Sequence, residues 1–167
     1  MINFLSEFKD KLQDRICFKI IGNASAKEGP EIKNKVLEKK SIKFFQFFDH
    51  RLSDEEMQHE IKNSDLIFPL ITPNIKIFNE YLSYKISGAY NLSYASHIPM
   101  IIHDRFKAFD DFNHGNYFFS DAKDLLNLLL SLSNNRQDIA EKSSVVKQYT
   151  EFLKKRQAEI FDRILSQ

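Results

Sequence analysis

The chain has 167 residues, 43% of them hydrophobic and 16 of them Phe, which is enough for one buried core and close to the length of one domain. Its 24 Lys and Arg against 23 Asp and Glu leave a net charge of +1, so no global field holds it on nucleic acid or an acidic membrane, and anion recognition must be local. The lone Cys17 excludes an internal disulfide, no apolar run reaches the ~20 residues of a spanning helix, and Glu7 and Asp10 interrupt any secretory signal; the expectation is a cytoplasmic chain with at most peripheral membrane contact.

In chain order, Phe4, Leu5, Phe8 and Leu12 recur at helical spacing and predict an opening amphipathic helix. Ile16 to Ile21 is a compact apolar run halted by Gly22 and predicts the first strand, with Cys17 buried in it as a small hydrophobe. Pro30 opens a helix with Ile32, Val36 and Leu37 as its apolar stripe, and Ile42 to Phe48 is the next strand. Ser53-Asp54-Glu55-Glu56 reads as a capping box for a helix running to about Asn63. Leu66 to Ile71 carries Pro69 and fits a strand end or bulge better than a central ladder. After an irregular aromatic segment, Asn74 to Tyr84, Ser87 and Gly88 introduce a helix through Ala89, Leu92 and Ala95 that stops before Pro99. Strands follow at Pro99 to His103 and Asn116 to Phe119, then a Leu-rich helix from Ser120-Asp121, a polar Ser131 to Lys142 link, and a last long helix striped by Val145, Tyr149, Phe152, Arg156, Ile160 and Ile164. Strands alternating with helices predict an α/β fold over residues 1–167: a Rossmann-like doubly wound parallel sheet with helices on both faces and a long C-terminal helix.

In such sheets ligands bind beyond the carboxyl ends of strands, so the loops after Ile21, Phe48, Ile71 and His103 are the places to search. Lys85-Ile86-Ser87-Gly88 leads into a helix and suits phosphate: free amides point outward, Gly88 lets an anion approach, Ser87 and Lys85 add a donor and a cation, and Asn91 follows one turn on. An N-cap plus a glycine needed for packing explains the same residues equally well. The loop Gly22-Asn23-Ala24-Ser25-Ala26-Lys27 could fold over a diphosphate with Asn23 or Lys27 beside it, or be a solvated turn. His50 and His103 fall at strand ends, where an imidazole can serve as acid, base or phosphate donor. The histidines show no metal spacing, no hydrolase elbow is present, and the pairs Glu55-Glu56 and Asp110-Asp111 read as solvated; no catalytic residue and no metal or other cofactor is assigned.

The succession Phe18-Lys-Ile-Ile-Gly22, Ile42 to Phe48, Leu52-Ser-Asp-Glu-Glu-Met57, Asn63-Ser-Asp-Leu-Ile-Phe-Pro-Leu70 and Ala95-Ser-His-Ile-Pro-Met-Ile101 resembles the C-terminal domain of GT-B glycosyltransferases of the group 1 (GT4-like) kind, over roughly Ile16 to Leu132. The resemblance implies a nucleotide-sugar donor, with its diphosphate at Ser87-Gly88 and its nucleoside near His50, Ile71 and His103. It implies transfer of a sugar to a glycan or other acceptor, as in polysaccharide biosynthesis, with a second domain or subunit holding the acceptor. Two features depart from the family: its paired glutamates fall at Tyr84 and Leu92, and its usual leading strand is not found ahead of the Phe4 to Leu12 helix. Two other readings compete. One is a non-catalytic α/β interaction domain with a degenerate nucleotide site and an aromatic surface of Phe78, Tyr81, Tyr84 and Phe106; the other is a nucleotide-processing enzyme, for which Asp104 is the one carboxylate at a strand end.

Overall fold

The structure, a computed structural model, describes residues 15–26, 29–39 and 42–166. The expected Phe4 to Leu12 helix and Lys27 lie outside them. The elements in order are β1 (Phe18–Asn23), α1 (Gly29–Glu38), β2 (Phe45–Phe48), α2 (Asp54–Lys62), α3 (Phe78–Tyr81), α4 (Gly88–Ser96), β3 (Ile101–His103), β4 (Tyr117–Phe119), α5 (Ala122–Asn134) and α6 (Arg136–Leu165). The protein is mixed α/β, with parallel pairing β1–β2 and β3–β4 in two small sheets and a long C-terminal helix. These elements sort into two compact units, one of the described residues up to Ser64 with Ala122–Asn134, the other of Asp65–Asp121 with the residues from Asn135 on.

In the first unit, Phe18 and Phe45 pair across the ladder with rings stacked at 5.5 Å, and the register slips between Ile20 and Asn23. The slip carries β1 past the expected end at Ile21, because Ala24 N–H still donates to Phe48 O at 2.7 Å. Cys17, expected to be buried, is exposed, since the strand starts one residue after it. The expected strand Ile42 to Phe48 begins instead as a 3-10 turn, Ile42–Phe44, which buries Phe44 completely. Of the α1 stripe only Val36 is buried; Ile32 and Leu37 face solvent. The capping box is formed: Glu56 N–H donates to Ser53 Oγ at 3.2 Å while Ser53 N–H donates to Glu56 Oε2 at 2.8 Å. Lys19 on β1 reaches the far end of α2, pairing with Glu60 at 2.8 Å and donating to Asn63 O at 3.1 Å, so a half-buried cation meets the negative end of the helix. Leu125, Leu126, Leu129 and Leu132 of α5 are buried, as their spacing requires.

In the second unit, Ile67 bridges in parallel to Met100, so β3 has Ile67 on one side and β4 on the other. That single bridge is what Pro69 leaves of the Leu66 to Ile71 strand; Leu70 beyond it adopts φ 58°, a left-handed conformation that costs roughly 1–2 kcal/mol in a non-glycine residue. Ile71, Phe78, Tyr90, Met100, Ile102 and Phe106 form the core. Asn116, itself buried, accepts from Met100 N–H at 2.8 Å and donates to Phe112 O at 3.1 Å, which closes the start of β3. α4 ends where His97 takes φ 59° and Ser93 Oγ–H donates to Ile98 O at 2.6 Å.

The polar stretch Ser131 to Lys142, within which the chain passes from the first unit to the second, is helical on both sides of Asn135 rather than an open loop. Ser133 and Asn134 side chains donate to Leu130 O, both at 2.9 Å, and end α5, and Asn135 caps α6 by accepting from Asp138 N–H at 3.2 Å. On α6 the buried positions are Val146, Tyr149 and Thr150, whereas Val145, Phe152, Ile160 and Ile164 of the expected stripe are exposed. No helix of the described residues is long and apolar enough to cross a membrane.

Candidate functional site

The expected site residues fall into two groups, one in each unit. In the first unit Gly22, Asn23 and His50 follow the ends of β1 and β2. Asn23 Oδ1 accepts from Ser25 N–H at 2.9 Å, an Asx turn that shapes the loop. Gly22 has open space where a side chain would stand. Among the described residues, Lys33 of α1 is committed beside this loop: Nζ donates to both carboxylate oxygens of Asp49, at 2.9 and 3.0 Å, and holds that carboxyl below its usual range. His50 Nε2 lies 3.3 Å from Glu56 Oε1, so the imidazole is engaged by the carboxylate of the capping box. Phe48, His50, Leu52, Glu56 and His59 line a shallow concavity of about 390 Å³ whose charged groups include three glutamates. Such a wall repels a diphosphate. Among the described residues, none of the Gly22 to Lys27 loop lines this concavity.

In the second unit Lys85, Ser87, Gly88 and Asn91 come together at the start of α4. Ser87 Oγ accepts from Ala89 N–H at 3.2 Å, as an N-cap does. Gly88 is exposed, and a Cβ built on it meets nothing within 4 Å, so packing does not require this glycine and its backbone can be approached; of the amides that follow, Ala89 N–H is held by Ser87 Oγ and Tyr90 N–H donates to Ser87 O at 3.0 Å. Lys85 is less available: its Nζ lies 3.4 Å from Glu80 Oε2 and 5.3 Å from the centre of the Tyr81 ring. Asn91 is exposed on the next turn. Beneath them Tyr90 anchors the helix, 4% exposed, with its ring edge-on to Phe112 at 4.8 Å and to Phe106 at 5.9 Å. Its buried hydroxyl has no hydrogen-bond partner among the described residues, and burial drives its pKa upward.

His103 is not a free imidazole. It is buried between Phe78 and Phe119, both edge-on at 5.6 Å, and Nδ1 accepts from Arg105 N–H at 3.3 Å, which caps the 3-10 turn Asp104–Ala108. Asp104 Oδ1 lies 3.0 Å from the same nitrogen. The aromatic surface expected from Phe78, Tyr81, Tyr84 and Phe106 is also corrected: Phe78 is 3% and Phe106 0% exposed, since the irregular segment folds its rings inward, and Tyr84 alone of the four stands out, at 77%. The acidic pairs are exposed, as expected, with one member of each also hydrogen-bonded: Glu56 in its capping box and Asp111 by the Tyr149 hydroxyl at 2.5 Å. No group of three or more metal-ligating side chains occurs among the described residues.

No protein-family model, curated protein or solved structure matches the chain. What points to chemistry is thus the geometry alone: an accessible, glycine-opened helix start on a packed aromatic base. The sequence did not reveal a concavity in this second unit, lined by Pro73, Asn74, Lys76, Phe78, Asn79 and Arg105, because these residues form no motif and come from separate turns.

Proposed function

We propose that the chain is the donor-binding domain of a glycosyltransferase, holding a nucleotide sugar for transfer to a glycan or other acceptor, with the acceptor bound by a second domain or subunit. The observation that carries the reading is the start of α4, where Ser87 caps the helix and nothing crowds Gly88, leaving room for a diphosphate oxygen to approach the backbone at the positive end of the helix dipole. Parallel strand pairing and the succession of motifs that resembles GT-B domains are consistent with it, and the reading brings with it a Rossmann-like, doubly wound arrangement. Lys85 contributes to phosphate only by leaving Glu80, so affinity rests chiefly on backbone amides and the helix dipole.

The alternative, a non-catalytic α/β interaction domain, loses most of its aromatic surface once Phe78 and Phe106 are buried; what favours it is exposed Tyr84 and Ile86. Calorimetric titration with UDP, GDP and ADP separates the two. Saturable binding of one nucleotide is the expected result, and no binding of any at millimolar concentration transfers the weight to the interaction domain.

A further inference from the structure

The concavity lined by Asn74, Lys76, Phe78, Asn79 and Arg105 has a volume of about 380 Å³, in the range of small-ligand sites, and its charged residues are two cations. Its walls are held from behind. Phe78 and Phe106 are buried and meet edge-on at 5.9 Å, Ile75 packs on the same core, and the turns Thr72–Ile75 and Ile75–Phe78 are closed by backbone hydrogen bonds of 3.1 Å. Lys76, Asn79 and Arg105 alternate with these anchors and are exposed.

The carboxylates nearest these cations in sequence are turned elsewhere, so among the described residues no neighbouring negative charge opposes an anion there. Glu80, one residue from Asn79, faces Lys85 at 3.4 Å. Asp104, one residue from Arg105, faces the His103 ring at 3.0 Å. Neither Lys76 nor Arg105 makes an ion pair with a described residue. Two uncompensated charges on one concave wall, with two amide side chains that can donate, suit a dianionic oxyanion, and the guanidinium can meet two of its oxygens at once.

We infer that this concavity binds a phosphate group through Lys76 and Arg105, with Asn74 and Asn79 as neutral donors. The inference shares no residue with the start of α4 and does not rest on the donor reading. Free phosphate and a phosphate monoester offer the same chemistry, and the test separates them.

The full chain is titrated with inorganic phosphate and with glycerol phosphate at low ionic strength, following backbone amide shifts, with chloride at matched ionic strength as the reference. Saturable shifts at Lys76, Asn79 and Arg105 are expected, weakened about tenfold or more in Lys76→Gln and absent in Lys76→Gln/Arg105→Gln. Lys154→Gln/Lys155→Gln, which alters exposed cations of α6, leaves binding unchanged. Tighter binding of glycerol phosphate assigns the site to esters; equal binding assigns it to free phosphate. Absence of saturable shifts in the parent chain overturns the inference, and so does equal binding by a folded double variant.

Discussion

Tyr149 on α6 donates its hydroxyl to Asp111 Oδ1 at 2.5 Å, from a ring that stacks face to face on His114 at 3.8 Å. Asp111 O meanwhile accepts from the Tyr94 hydroxyl of α4 at 2.6 Å, so one residue of the 3-10 turn Asp110–Asn113 gathers both helices. Tyr149→Phe keeps the stack and removes the bond. Because Asp111 is exposed and can be resolvated, the expected loss is about 1 kcal/mol, read as a lower urea midpoint with unchanged slope.

Burial of the Tyr149 ring, together with this bond, makes stability fall at alkaline pH. Burial, then the hydrogen bond to Asp111, pushes Tyr149 from 10.0 to about 12, and Tyr94 and Tyr117 are shifted upward too, chiefly by burial. Each folded-state value lies above the unfolded one, so this contribution is complete below pH 10.0 and lost as pH rises through about 12 for Tyr149. Tyrosinate absorbance against pH checks it: Tyr149→Phe removes the component centred near 12.

At the acid end the capping box governs α2. The Ser53 backbone amide, then its hydroxyl, hold Glu56 below its ordinary 4.5. A depressed carboxyl stabilises the fold above that pH and ceases to do so as pH drops through the folded-state value. Glu56→Gln is expected to flatten the acid limb of a melting-temperature profile; an unaltered limb means the ionisation of Glu56 adds nothing to stability.

Tyr90 carries a buried hydroxyl without a partner among the described residues, for which the expected penalty is about 1–3 kcal/mol. Tyr90→Phe therefore stabilises the protein or leaves it unchanged. A loss above about 1 kcal/mol contradicts an unpaired hydroxyl, since the ring contacts with Phe106 and Phe112 survive the change.

Gly115 sits at φ 81°, and a Cβ there would lie 2.6 Å from Lys142 O and 2.9 Å from Val146 N, both rigid parts of α6. Gly115→Ala is expected to cost about 2 kcal/mol or more from strain and displacement of the helix, whereas Gly22→Ala, in open space, changes the chemical denaturation midpoint little.

Local signals were legible in the sequence. Ser53 with Glu56, Ser87 before Gly88, Pro99 after α4 and the Leu spacing of α5 each act within a few residues, and each sits where the pattern placed it. Non-local contacts were not legible. Nothing adjacent to Tyr149 announces Asp111, and Phe78 and Phe106 lie in short turns without a period, so the inward direction of their rings had no signature. Polar Ser131 to Lys142 looked like an open loop because Ser and Asn were read as loop residues, when they end one helix and cap the next. At the site, the open start of α4 was readable from Ser87-Gly88, but the pairing of Lys85 with Glu80 and the concavity between Lys76 and Arg105 needed the fold.

The most direct test of donor binding compares the parent chain with Gly88→Asp in titrations with UDP, GDP and ADP. Since a Cβ at Gly88 meets nothing within 4 Å, aspartate can be placed there and sets a negative charge at the helix start that would meet the diphosphate. The account predicts saturable binding of one nucleotide by the parent and its loss in the variant at unchanged melting temperature. Nucleotide binding that is equal in both proteins, or missing from the parent, contradicts it.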